Sequence, residues 1–473
     1  MRPTPQFTAA HPHPRIHWTH LLLLTAAVCM SSRLGITADL PQLVGDGVAD
    51  DTAALQMRID TGSGHLAVPP GRYRLTAPLE VSLDQSGPFA LSGEGATLVM
   101  TAPGPAVRFR GTHFQSADPK TFQPQIWTKE RMPLVDGLAI TAEHPDADGI
   151  EAIGTMQLTI TRTHIRSCRH AVHLVENNRN VTISDCHFYE NTGCGVFYDN
   201  VNLHQSNING CHISYNAGGG IVCRQGNIRN IHIDGCDIES NMSPDTPATA
   251  NVLIDCTGST HGTGEVAITG CTIQHNNPSP DSANIRILGR SDPSPRQELV
   301  REGNITITGN VLSDVQVNLH LRDCRGVTVT GNTLWQGYRH NLLLEDCSSV
   351  VMAGNNLDRN PRYDYGNTAE ANNSVVIRGC EDCTISGLHI SNVWRSPAGL
   401  LVEDCRRIHL SDSTVLDCDT CGVWLKNVSQ SYVHDLFIRD DRPGGTSVSL
   451  RQTGGDGLTL RNNVLQHPLQ TTD

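Results

Sequence analysis

Two evenly spaced series of residues run through the middle of the chain and carry most of its candidate chemistry. The first reads Glu151, His173, Phe197, Val222, Leu253, Arg286, His320, Leu343, Val376, Leu401 and Trp424. The second, two positions further on, reads Ile153, Val175, Asp199, Arg224, Asp255, Leu288, Arg322, Glu345, Arg378, Glu403 and Lys426. On strands, residues two apart share a face, so each series predicts a column on one outward surface. Asp255, Arg286, His320, Arg322 and Glu345 are the leading candidates for chemistry. A guanidinium grips a carboxylate through two parallel hydrogen bonds, which suits Arg286 and Arg322. An imidazole such as His320 can give or take a proton near neutral pH. Asp255 or Glu345 could orient it or hold a metal ion. Glu151, His173, Asp199 and Arg224 form an alternative group nearer the N-terminus. The alternation of sign in the second column also matches a cross-strand charge ladder that keeps an exposed sheet soluble.

What must position these columns is a short repeat. An apolar–x–apolar run, two polar or Gly residues, then Cys or Asn and another apolar residue recurs as VTISDCHF at 181, IHIDGCDI at 231, VAITGCTI at 266 and VTVTGNTL at 327. Anchored on Gly137, Thr163, Cys186, Cys211, Cys236, Cys271, Asn310, Asn332, Asn355, Leu388, Ser413, Leu436 and Asn463, most steps are 22 to 27 residues, and three reach 33 to 39. Between anchors lies a second strand, such as GIEAI at 149, GVFYD at 195, NLHLR at 318 and GVWLK at 422. No such unit can bury its own apolar face, and stacking identical coils about 4.8 Å apart does so. Asn191, Asn216, Asn241, Asn276 and Asn360 recur five residues after an anchor, where stacked amides can bond along the array. The pattern predicts an all-β chain, a parallel β-helix of about thirteen coils over residues 134–465. An N-terminal cap and initial coils over 39–133 precede it and a tail over 466–473 follows.

Composition agrees with a tightly turned array. The chain has 473 residues, 43 of them Gly, only 4% aromatic, with a formal net charge of −13. The acidic balance argues against a general nucleic-acid binder. The longest apolar run, about ten residues, is too short to span a bilayer. The N-terminus reads as an export signal over 1–38. Arg2 and Arg15 lie in its polar lead, Leu21–Met30 is the apolar core, and cleavage is expected after Ala38. This predicts a secreted or periplasmic protein. Val28 is too large for a lipid anchor at Cys29. Of 16 cysteines, fifteen remain after Cys29, and their 23- to 25-residue spacing predicts buried reduced columns.

Ahead of the repeats stand GDGVADDTAALQMRID at 45–60, VPPGRYRL at 68–75 and LSGEGATL at 91–98. Asp50 or Asp51 is a natural N-cap for a short helix that would close the open end of the solenoid. Together with the coils, these stretches resemble the pectate lyase superfamily, in its rhamnogalacturonase/epimerase-like branch, over about residues 42–465. The resemblance implies a right-handed parallel β-helix acting on a polysaccharide, with the site on the face of the G-apolar-x-apolar strands. Asp148-Gly149-Ile150-Glu151 resembles the first element of the polygalacturonase pattern. The following Asp pair and His-Gly are absent, as is the DPH signature of mannuronan epimerases.

On such a fold the long steps, 241–250, 275–283 with 289–303, and 357–373, are expected to wall the face between Asp255 and Arg378. Trp335, Tyr338, Tyr363, Tyr365 and Trp394 are expected to stack on sugar rings there. The expected chemistry is that of a lyase or epimerase on a uronic-acid-containing glycan, where Arg286 and Arg322 neutralise the C6 carboxylate and His320 moves the C5 proton. Hydrolysis is the alternative, because Asp199 and Asp255 two coils apart would stand roughly 9–10 Å from each other, at the upper edge for inversion. A non-catalytic glycan-binding helix is the other. No cofactor is required by these residues, and Ca²⁺ is compatible with them. Monomer and trimer both remain open.

Overall fold

The computed structural model describes residues 40–115, 123–292, 300–445 and 448–472; the expected signal segment, with Cys29 and Ala38, lies outside them. Forty-two strands pair in parallel into one continuous hydrogen-bonded system. It resolves into three stacks that each coil visits in turn. Sheet A starts with His65–Ala67, sheet B with Asp46–Asp50 and sheet C with Leu79–Ser82. Fourteen successive parallel pairings on sheet C link fifteen strands, from Leu79–Ser82 to Gln470–Thr472. The count exceeds thirteen because 65–110 already forms full coils. The last strand lies in the segment expected to be a tail and pairs with Arg451–Thr453.

The inward residues of all three sheets form a single apolar core from Leu55 to Leu450. A parallel strand buried on its inner face and twisted only slightly per step leaves no room for variation, so Ile, Val and Leu recur at the same rung. One helix, Thr52–Thr61, covers the N-terminal end with Leu55 and Ile59 buried. Its Gln56 side chain donates to the Glu80 carbonyl and accepts from the Glu80 amide, both at 2.9 Å. A side-chain amide thereby pairs an edge that would otherwise recruit another chain. Asp51 stands at the N-cap position, but its carboxylate turns back to accept from Val44 and Gly45 amides. Asp50 binds the Thr52 amide at 3.0 Å instead.

Two side-chain ladders hold the corners. At the A-to-B turn, the thiols of Cys186, Cys211, Cys236 and Cys271 each donate to the carbonyl two residues upstream at 3.2–3.4 Å. Asn310, Asn332 and Asn355 then take over the position, and the Cys271 amide donates to Asn310 at 3.0 Å. All fifteen described cysteines are free and buried.

The B-to-C turn carries the second ladder. Asn191, Asn216 and Asn241 bond amide to amide at 2.7 Å. Asn276 and Asn360, expected next, leave it: Asn276 donates to the Met242 carbonyl, and Asn360 caps the following turn. Their places go to Asn251, Asn284, Asn318 and Asn341, joined at 2.7–2.9 Å and fully buried. These four open their sheet C strands where Gly195 and Gly220 open earlier ones. A Cβ on Gly195 or Gly220 would lie 3.2 or 3.0 Å from the ladder amide of Asn216 or Asn241. Glycine makes room for a turn asparagine; after the lengthened turns 240–249 and 275–282 the strand begins with asparagine and supplies the amide itself, and Asn318 and Asn341 do the same after short turns.

Two measurements check this description. Asn251→Ala leaves the Asn241 backbone amide and the Asn284 side-chain oxygen without their partner, and takes one of two hydrogen bonds from the Asn241 side-chain amide and the Gln274 carbonyl, which keep Ile213 and Ser240. At about 1–3 kcal/mol per buried unsatisfied group, partly relieved by relaxation, the loss is about 3 kcal/mol, read as a shift in the denaturant midpoint. Thiol titration after denaturation without reductant is expected to find all fifteen described cysteines reactive, and fewer than half reacting would reveal disulfides.

Candidate functional site

Sheet C carries both residue columns in the expected register. Glu151, His173, Phe197, Val222, Leu253, Arg286, His320 and Leu343 pair in succession, and so do Asp199, Arg224, Asp255, Leu288, Arg322, Glu345, Arg378, Glu403 and Lys426. The first column is recessed: His173, Val222, Leu253, Arg286 and His320 are all buried although they point away from the core. Val222 and Leu253 pack with Cys194, Ala250, Ala283 and Val317 into a small outer apolar cluster flanked by Phe197 and Leu343. The floor is therefore an apolar saddle between two polar groups. The long connections 240–249, 275–282 and 358–373 join sheet B to sheet C and border it on that side; on the other side the described residues 289–292 and 300–302 lie between sheet C and sheet A.

The C-terminal polar group brings together Arg286, His320 and Glu345. Arg286 Nε donates to His320 Nδ1 at 3.0 Å, and His320 Nε2 faces Glu345 at 3.1 Å. Burial, reinforced by the Arg286 charge, lowers the His320 pKa despite the opposing pull of Glu345. A neutral His320 thus has its one lone pair engaged by Arg286 and its N–H by Glu345, which leaves nothing to take a substrate proton. Arg286 also lies 3.1 Å from Asp281, which pairs with Arg339. Asp255 is not brought here: it pairs with Arg224 at 3.5 Å. Arg322 is exposed and forms no ion pair among the described residues. Beyond Glu345 the second column is a paired ladder, with Arg378 2.8 Å from Glu403 and Lys426 2.6 Å from Glu403.

The aromatic residues serve the 358–373 connection. Trp335 and Tyr363 rings lie 5.5 Å apart, Tyr363 and Tyr365 6.3 Å. Tyr338 is buried and donates to Asn367, while the Arg359 guanidinium sits over the Trp394 ring, 3.6 Å from its centroid. They anchor the loop at the B-to-C turn. Only Tyr365, 59% accessible, presents a largely open ring.

The N-terminal polar group is more concentrated. His173 is held between two carboxylates, Nδ1 at 3.1 Å from Asp148 and Nε2 at 3.1 Å from Asp199. Asp148 is fully buried and takes a two-point fork from Arg169, at 2.9 and 2.7 Å, and the His170 amide at 3.0 Å. Burial by itself would raise the Asp148 pKa, but the Arg169 and His173 hydrogen bonds outweigh it and hold the group ionised. Burial likewise opposes charge on His173, and the Asp148 and Asp199 bonds overcome it to raise the imidazole pKa. His170 is the contrary case: burial pushes it down to about 4, and its Nδ1 accepts the Cys194 amide at 3.0 Å. Phe197 stacks on His173 with centroids 5.4 Å apart. Glu151 bonds Arg108, which also reaches Glu80 at 2.5 Å.

Glu151, His173 and Asp199 were legible in the sequence; Arg108, Arg169 and Glu80 were not. Arg108 and Glu80 belong to the column through the pairings Glu80–Arg108–Glu151, on initial strands that lack the repeat motif. Asp148, Glu151 and His173 bring donor atoms within 4.8 Å of one another, as a metal ion would require. Their oxygens already serve Arg169, the His170 amide, Arg108 and His173, so a cation such as Ca²⁺ would have to displace guanidinium or imidazolium groups that neutralise the same charge.

Comparisons with known proteins bear on the frame. The family model described as a right-handed beta helix region matches residues 134–273, and that of the periplasmic copper-binding protein NosD matches 250–381. No curated protein matches the chain. Among solved structures, the Dettilon tailspike protein superposes with a TM-score of 0.52 at 14% identity, over 73% of this chain and 64% of the tailspike. A mannuronic acid specific polysaccharide family 6 lyase from human gut microbiota gives 0.42 at 11%, over 88% and 90%. The A-module of the Azotobacter vinelandii mannuronan C-5 epimerase AlgE4 gives 0.37 at 14%, over 91% and 97%. The handed repeat match, the unbroken parallel pairing and the tailspike superposition agree: the chain is a right-handed parallel β-helix.

Proposed function

We propose that the protein is an extracytoplasmic enzyme that cleaves a uronic-acid-containing polysaccharide by β-elimination, with Asp199, His173 and Arg224 as its working residues. The observation that carries this reading is the imidazole of His173, clamped between the buried Asp148 and the half-exposed Asp199, both of which raise its pKa. Arg224, next to Asp199 on the second column and 44% exposed, offers a guanidinium to the C6 carboxylate, which acidifies the C5 proton. The Asp199 carboxylate takes that proton, the C4–O bond breaks as the C4=C5 double bond forms, and His173 Nε2–H protonates the departing O4. The proton on Asp199 then returns to His173 along their hydrogen bond and resets the pair. Asp148 keeps the ring oriented and charged throughout. Phe197, Val222 and Leu253 supply an apolar surface for sugar C–H faces.

Elimination is favoured over hydrolysis because Arg224 stands in register between Asp199 and Asp255 and pairs with the latter, in the interval a nucleophilic water would need. It is favoured over epimerisation because the donor and acceptor lie side by side on one floor. The periplasmic family match over 250–381 and the apolar segment Leu21–Met30 support an extracytoplasmic setting, and no described helix is long and apolar enough to cross a membrane.

The test is a panel of uronic-acid and neutral polysaccharides, following unsaturated products and reducing ends separately. Unsaturated ends should form only from uronic-acid chains. His173→Ala and Asp199→Asn should each lower kcat by at least about 100-fold, Arg224→Ala should raise KM for anionic chains, and His320→Ala should retain activity. Loss of turnover in His320→Ala but not in His173→Ala would move the site to the other group, and no turnover on any chain would refute the enzymatic reading.

The raised His173 pKa adds a pH signature. The acid form required for leaving-group protonation is lost as pH rises, so kcat should fall on the alkaline side of His173's folded-state value. The same linkage makes its stabilising contribution complete below about pH 6.5, the unfolded value, and lost as pH climbs through the higher folded one. His173→Gln should flatten that alkaline limb of the stability profile.

A further inference from the structure

Of the described Phe, Tyr and Trp residues, Tyr215 and Tyr365 are the most exposed, at 54% and 59%, and both line one cavity although they lie far apart in the sequence. The cavity, about 380 Å³, sits off the sheet C floor, where sheet B ends and the coils begin to turn. Its base is the column Tyr215, Ser240, His275 and Asp314, one residue past the sheet B segments that end at Ser214, Glu239, Gln274 and Ser313. The Tyr215, Ser240 and His275 amides carry the ladder on, donating to the Glu239, Gln274 and Ser313 carbonyls at 2.9–3.2 Å. Four coils at 4.8 Å per step make this base about 14 Å long. All four residues are left-handed, with φ from 54° to 63°. A bulky residue rarely adopts that conformation, yet the turn holds one at Tyr215 with its ring in solvent rather than in the core. The walls are the connections 275–282 and 358–373, and both are tied down. The Asn277 carbonyl takes the Gln316 side-chain amide at 2.8 Å, and the Asn276 side-chain amide donates to the Met242 carbonyl at 2.8 Å. Opposite them, Asn367 accepts the Tyr338 hydroxyl at 2.8 Å and the Tyr365 amide donates to the Thr368 hydroxyl at 3.1 Å.

We propose that this cavity binds a short neutral oligosaccharide, stacked on Tyr215 and Tyr365, at a site separate from the sheet C floor. A tyrosine ring offers an apolar face to the C–H side of a sugar and keeps its hydroxyl for water or a partner. A few fixed polar groups then set the orientation, as in most small-ligand sites. Asp314 is the chief of these. Burial raises its pKa against the Ser313 hydroxyl and the His275 charge, and at 3.8 Å the His275 ring is too far to hydrogen-bond it. Its oxygens therefore keep acceptor capacity that sugar hydroxyls, each a donor, can fill. Asn276 has spent its amide hydrogens on Met242 and presents its side-chain oxygen as a further acceptor. The lining contains no lysine or arginine among the described residues. A uronate would bring its carboxylate beside Asp314 with no guanidinium to pair it, whereas on sheet C it meets Arg224. The charge pattern thus sorts neutral rings to this cavity and acidic rings to the floor. Occupancy of the cavity needs no chemistry on sheet C.

The experiment is saturation-transfer NMR on the full chain with cellotriose, maltotriose, mannotriose and galactotriose, and with trigalacturonate as the charged counterpart. At least one neutral trisaccharide should receive saturation at its ring C–H protons. Tyr215→Ala and Tyr365→Ala should each weaken its binding at least about 10-fold, and Asp314→Ala should weaken it as well. Tyr215→Phe and Tyr365→Phe, which keep the ring faces, should retain it. Both tyrosines are exposed, so the melting temperature of these variants should match wild type, which separates ligand loss from unfolding. Arg224→Ala should leave the neutral trisaccharide bound, and Tyr215→Ala should leave turnover of uronic-acid chains at the wild-type rate. No transfer to any of the four neutral trisaccharides, or equal binding in wild type and both alanine variants of the tyrosines, would overturn the proposal. So would loss of neutral binding in Arg224→Ala, which would return the ligand to sheet C. Tyrosine-dependent binding without turnover of any uronic-acid chain would sustain this site and remove only the elimination reading.

Discussion

Every rung of this molecule depends on closing a corner without leaving a buried amide unpaired. A parallel coil must turn three times within some 22 to 27 residues, and each turn carries backbone groups into the interior, where an unmet donor or acceptor costs about 1–3 kcal/mol. Stacked asparagines solve the problem collectively, because each side chain receives from the rung on one side and gives to the rung on the other. Cysteine solves it locally by donating to its own strand's carbonyl. That difference explains why a cysteine column and an asparagine column can follow one another at the same corner, and why fifteen thiols persist unpaired. Neighbouring sulfurs point along one direction and are spent on carbonyls.

With the corners fixed, sheet C becomes a ruled surface on which side chains of adjacent coils stand at a constant separation. Charge on such a surface can be arranged in two ways. Where opposite signs simply alternate, as from Glu345 to Lys426, each group is neutralised by its neighbours and the row is a solvated ladder. Where an imidazole sits between carboxylates and one of them is buried against a guanidinium, as at His173, the field favours the charged ring. His320 looks similar in sequence, but a guanidinium rather than a carboxylate faces its Nδ1, and its charge preference is inverted.

That contrast marks how far the sequence could be read. Period, strand identity, outward columns and register follow from residue spacing, because a one-residue slip would bury every charge. The chemistry did not follow in the same way. Glu151, His173 and Asp199 were visible as a cluster, whereas Asp148 stood out only as part of a resembled motif, and its contact with His173 emerges only from packing across two coils. Arg108 and Glu80 lie on strands with no repeat motif to align them. The aromatic cluster meets the same limit: spacing locates Trp335 and Trp394 near a long connection, but only packing shows that Arg359 covers one of them.

The exchange of Gly195 and Gly220 for Asn251, Asn284, Asn318 and Asn341 at the head of sheet C strands has a wider meaning. It uncouples the length of a surface excursion from the integrity of the interior. A coil whose strand brings its own amide no longer needs its turn to have any particular size, so segments such as 240–249 and 275–282 behave as interchangeable cassettes. Divergence can rewrite them repeatedly, altering what the neighbouring floor admits, while the scaffold beneath experiences no mutation at all. The strands that begin with asparagine are, in that sense, the sockets of the molecule.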